Sequence, residues 1–124
     1  MDASNRPDPR SRMRADLPRA MKARDKDAVD ALRTALAAFD DAEAVAVPPS
    51  SPSLSGSEHV AGASAGLWSA EVPRRELTVE DLRAIVHAQI AERAAEADTY
   101  TARGQAVAAD RLRRQADVLR RYLD

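Results

Sequence analysis

At 124 residues the chain has the length of one domain, with room for a modest core and not for two independent ones. Twenty-seven alanines dominate its 44% hydrophobic content and Phe39, Trp68, Tyr100 and Tyr122 are the aromatics, so a sheet is disfavoured and a thin, close-packed helical core is expected. Nineteen basic against twenty acidic residues leave a charge of -1, which excludes a global field toward nucleic acid or an anionic membrane, and zero cysteines exclude disulfides, thiolate zinc sites and a Cys nucleophile.

Residues 1–11, opening MDASNRPDP, offer almost nothing to bury and read as a disordered tail. Residues 12–43 read as a first helical hairpin. Met13, Leu17, Ala20, Met21 and the stem of Arg24 keep the i, i+3, i+4 rhythm of one helix, which Pro18 tolerates if it lies near the start. Ala28, Leu32, Ala35, Leu36 and Phe39 repeat that rhythm. Between them lies the charged hinge RDKD, residues 24–27, with Asp25 or Asp27 as the N-cap of the second helix.

From 44 to 76 the pattern dissolves into a Ser/Pro/Gly/Ala-rich stretch, VPPSSPSLSGSEHVAGASAG, expected to be a flexible connector. Leu67, Trp68 and Val72 would anchor its end on the helices. Residues 77–124 form the second hairpin. Thr78 and Asp81 have capping-box spacing, Leu77 can staple onto Leu82, and Leu82, Ile85, Val86, Ile90, Ala97 and Tyr100 line one face until Gly104 offers a left-handed stop. The last helix would bury Ala108, Leu112, Ala116, Leu119, Tyr122 and Leu123, with Asp110–Arg114 and Asp117–Arg121 pairs on its surface. The expected fold is therefore all-α: two antiparallel helical hairpins packed as a small four-helix bundle. No apolar run spans a membrane and no signal peptide is indicated, so the expected location is cytoplasmic.

Nucleophilic catalysis needs a hydroxyl or thiol beside an oriented base. Most serines lie in the connector, His59 lies there too, and His87 reads as a surface or boundary residue of the third helix. Neither histidine has a partner at i+4 for a metal, and Gly56, Gly62 and Gly66 form no phosphate loop. No catalytic, cofactor or metal residue is therefore expected. Glu92, Glu96 and Asp98, with Arg93 and Arg103 nearby, read as a solvated face. The last helix carries Arg111, Arg113, Arg114, Arg120 and Arg121. They are either paired within the helix or, through Arg111, Arg114 and Arg121, an RNA-contacting patch.

The stretch MKARDKDAVDALRTALAAF, residues 21–39, and residues 71–123, from EVPRRELTVEDLRAIV to the closing YL, resemble the GatB/YqeY family. The family's order of features is a KARD-type hairpin, a variable connector, an ELT helix, and a Gly turn into a helix ending in YL. The resemblance implies its N-terminal helical domain. The second small domain that usually follows YL, similar to the tail of the GatB amidotransferase subunit, is expected to be missing. It also implies an accessory role beside glutamine-dependent carbon–nitrogen ligase activity, through binding of tRNA or of amidotransferase subunits, with the ATP, glutaminase and transferase sites elsewhere. The alternative is a helical interaction module that binds another protein or a second copy of itself, with no RNA role.

Overall fold

The computed structural model describes residues 6–44 and 76–124. They form four α-helices: α1 (Pro9–Lys22), α2 (Lys26–Ala44), α3 (Val79–Ala102) and α4 (Ala106–Arg120), closed by a 3-10 turn at Arg121–Leu123. No strand occurs among the described residues. The two hairpins, up to Phe39 and from Leu77 onward, make one compact unit with the architecture of a small helical bundle. The connector expected at 44–76, with His59, Trp68 and Val72, falls outside the described residues except at its two ends.

The expected tail ends too late. α1 begins at Pro9 and not beyond residue 11, because Asp8 caps it: the Asp8 carboxylate accepts the Ser11 N–H at 2.7 Å. Pro9 occupies the first turn, where a missing N–H costs nothing. The tetrapeptide Asp8-Pro9-Arg10-Ser11 was thus a readable start signal. Pro18 lies inside the helix on an exposed face, so the Arg14 carbonyl lacks its intrahelical partner yet can face water.

Both hairpins close with the same backbone turn. After α1, the Asp25 N–H donates to the Ala20 carbonyl at 3.0 Å and the Arg24 N–H to Met21 at 3.1 Å. After α3, the Gln105 N–H donates to Tyr100 at 2.9 Å and the Gly104 N–H to Thr101 at 3.0 Å. These are Schellman closures, each needing one left-handed residue. Gly104 supplies it at φ 74°, whereas the first hairpin uses Arg24 at φ 58°.

The core runs through Met13, Ala28, Ala31, Leu32, Ala35, Phe39, Leu82, Val86, Ile90, Ala116, Val118, Leu119 and Tyr122. The buried face of α2 is built largely of small residues, Ala28, Ala31 and Ala35, and Phe39, Met13, Leu32 and Leu119 are among the largest fully buried side chains. Burying each of these larger side chains contributes about 1.5 to 3 kcal/mol. The Thr78–Asp81 capping box forms as expected, with both reciprocal bonds at 3.0 Å, and Leu77 packs on the core beside it.

Two stripes differ from expectation. Met21 is exposed rather than buried: among the described residues, the apolar side chains by which α1 joins the core are Met13, Leu17 and Ala20. On α4 the buried face is rotated toward Ala109, Gln115 and Val118, leaving Ala108 and Leu112 only half-buried, as is Leu123 in the closing 3-10 turn.

Candidate functional site

The charged hinge divides its two aspartates between different tasks. Asp25 caps α2, its carboxylate accepting the Ala28 N–H at 3.1 Å. Asp27 instead reaches across to α4, accepting from Arg114 Nε at 2.7 Å and standing 3.7 Å from Arg111 Nε. The hinge therefore joins the start of α2 to the middle of α4. The carboxylate bond also raises the affinity of the Arg114 guanidinium for its proton, with further help from Asp110 and Asp25.

That arrangement replaces the expected intrahelical pairs. Arg114 bonds Asp27, not Asp110, and Asp110 pairs with Arg113 at 3.8 Å. Asp117 bonds Arg120 at 2.6 Å, not Arg121. Arg113 also reaches Asp98 on α3 at 3.3 Å. At i, i+3 a short Asp meets an Arg more readily than the i+4 spacing suggests, and a tertiary carboxylate competes for the rest. Arg121 lines a surface groove of about 250 Å3 that also includes Asp16, Arg19 and Asp25. Of the three arginines expected to contact RNA, Arg111 and Arg114 are thus paired with Asp27 of the first hairpin, while Arg121 lines the groove without an ion pair to a carboxylate among the described residues.

Sequence reasoning missed Arg93. Placed on the solvated face by its charged neighbours, it is 7% exposed, in the slot that the apolar rhythm assigns between Ile90 and Ala97. Its Nε donates to Gln115 Oε1 at 3.1 Å and one terminal nitrogen to Gln89 Oε1 at 2.8 Å. Burial lowers its pKa, and the fields of Glu92, Glu96 and Asp30 offset that only in part. The period was the available signal; the charge concealed it.

At the far end of α4, the Tyr122 hydroxyl donates to Asp16 at 2.6 Å, and Arg12 stacks on the ring at 5.1 Å while donating to the Arg121 carbonyl. Burial and the bond to Asp16 push the Tyr122 pKa up. This cluster locks the last turn onto α1, and each of its polar groups is engaged in that closure. His87 is exposed on α3. Among the described residues no group of three or more His, Asp or Glu is placed to hold a metal ion, and no helix is long and apolar enough to cross a membrane.

The surface of the first hairpin offers a different chemistry. A groove of about 450 Å3 is lined by Met21, Arg24, Lys26, Val29, Asp30 and Arg33. Its Arg33 guanidinium lies 3.8 Å from the Met21 sulfur.

Fold and surface together define a small all-α bundle whose helices are tied to one another by polar side chains as well as by the core. Compared with protein-family models, curated proteins and solved structures, the chain finds no match.

Proposed function

We propose that this chain is a non-catalytic accessory domain of the GatB/YqeY kind, serving a tRNA-dependent, glutamine-dependent amidotransferase by binding one of its protein subunits. The sequence resemblance supports the family, and the ion pairs of Arg111 and Arg114 with Asp27 support protein over RNA as the ligand. Arginines already held by carboxylates of the same chain release fewer counterions from a phosphate backbone, and that release supplies most non-specific affinity for RNA.

The test is a salt-resolved titration of the purified protein with bulk tRNA, run beside sedimentation with purified amidotransferase subunits. The expected result is a subunit complex that forms without RNA, and tRNA binding whose salt slope stays unchanged when Arg111, Arg114 and Arg121 are all replaced by Gln. A slope that falls by about one unit per arginine removed makes RNA the ligand and overturns the subunit reading. The same sedimentation series reads self-association.

A further inference from the structure

Met21 is 48% exposed, a large apolar side chain left in water at the turn of the first hairpin. With half-buried Val29 it floors the groove of about 450 Å3, and Arg24, Lys26 and Arg33 stand around it against one carboxylate, Asp30. Among the described residues none of these three cations makes an ion pair with a carboxylate. On α4, by contrast, Arg111, Arg113, Arg114 and Arg120 all have one. Four arginines of α4 are thus paired with carboxylates of the same chain, whereas the groove of the first hairpin joins an apolar floor to three cations without such a pair.

Arg24 sharpens the contrast. The equivalent position of the second hairpin is Gly104, so the turn itself asks for no side chain, and the left-handed conformation disfavours one. Here it nevertheless carries a guanidinium at the edge of the groove. Methionine suits a binding floor because its flexible, polarisable thioether adapts to the shape of what it meets.

We propose that this groove docks an acidic amphipathic helix of a partner protein, an apolar side chain seating over Met21 and Val29 and flanking carboxylates meeting Arg24, Lys26 and Arg33. Helix-in-groove recognition needs these two features side by side, an apolar floor and a rim of complementary charge. An RNA backbone would gain from the cations but nothing from the floor, and Asp30 would repel it. A second copy docking the same face by two-fold symmetry would bring like charges together. The inference deepens the proposed function, from which it takes only that the partner is a protein.

The experiment uses the isotope-labelled full chain and a synthetic helix with Leu at i, i+3, i+4 and i+7 and Glu between. Controls are a scrambled-order peptide of the same composition, a Lys-for-Glu version, and bulk tRNA. The expected result is resonance shifts confined to the groove, caused only by the acidic amphipathic peptide and weakened by salt. Met21→Ala, Arg24→Glu and Lys26→Glu should each reduce affinity by about tenfold or more with the helical circular dichroism unchanged. Equal binding of the scrambled peptide, shifts elsewhere on the bundle, tRNA occupying the groove in preference, or variants without effect would each overturn the proposal. A subunit complex that survives these substitutions refutes the docking site and leaves the accessory role standing. Peptide binding in the groove with no subunit complex does the reverse.

Discussion

Arg114 Nε and an Asp27 carboxylate oxygen lie 2.7 Å apart across 87 residues of sequence, and the bond joins the hinge of the first hairpin to the middle of α4. The Asp27 side chain is 19% exposed and that of Arg114 57%, so the pair sits at the rim of the seam, where salt can reach it. Its main effect is to fix register and to cancel charge.

Asp27→Asn is therefore expected to free Arg111 and Arg114. Binding of a polyanion such as heparin should strengthen and its salt slope steepen, by up to about one unit for each arginine released. Thermal stability should fall slightly. A heparin titration at several salt concentrations checks this, and an unchanged slope would show that Asp27 does not set the charge of the seam.

Leu82 is 3% exposed within the core, whereas Leu112 is half-buried. Leu82→Ala should cost about 2 to 5 kcal/mol, through lost transfer energy and a cavity the neighbours cannot close. Leu112→Ala should cost clearly less. Urea denaturation of the two variants decides it; equal losses would place the true buried face of α4 where the plain periodicity puts it.

The paired turns predict substitutions of opposite sign. Nothing lies within 4 Å of a Cβ added at Gly104, so Gly104→Ala should destabilise through backbone strain alone, by about 1 kcal/mol. Arg24→Gly relieves strain in the matching turn and loses some of that gain to chain entropy, for a net stabilisation of up to about 1 kcal/mol. Melting temperatures moving in the same direction would refute the equivalence of the turns.

Arg93 and Gln115 form a buried pair of unusual type, a cation held by neutral amides. Arg93→Ala should cost about 1 to 3 kcal/mol from the unpartnered amide alone, with a packing loss added. Arg93→Met combined with Gln115→Leu should restore most of it, since the two buried polar side chains are then replaced by apolar groups of similar length and the half-buried Gln89 can turn to water. A double-mutant cycle in denaturant measures the coupling, and additive losses would mean the bond contributes nothing.

Tyr122 links stability to alkaline pH. Its proton is held more tightly in the folded state, by burial and by the bond to Asp16. Because the folded pKa lies above the unfolded value of about 10, this contribution is fully present below pH about 10 and is lost as pH rises through the folded pKa. Tyr122→Phe should cost about 1 kcal/mol at neutral pH and flatten the decline of stability above pH about 10. Denaturant midpoints from pH 8 upward test it; parallel curves for the two proteins would rule it out.

What was legible in the sequence was local. Alanine-rich periodicity announced the helices, Thr78 with Asp81 announced the start of α3, and Gly104 its end, because propensity, capping and left-handed turns act over a few residues. The buried face of α2 was legible for the same reason, its apolar spacing being unbroken from Ala28 to Phe39. Only the tertiary structure decided which aspartate of the hinge caps and which crosses to α4, since both stand within reach of the same helix start. It also decided that Arg93 is buried between two glutamines, that the face of α4 turns toward Val118, and that Met21 stays in water beside unmatched cations. These outcomes depend on what the opposite hairpin presents at each height. The energies of burial and charge pairing belong to pairs of residues far apart in the chain, and no window of a single helix contains both partners.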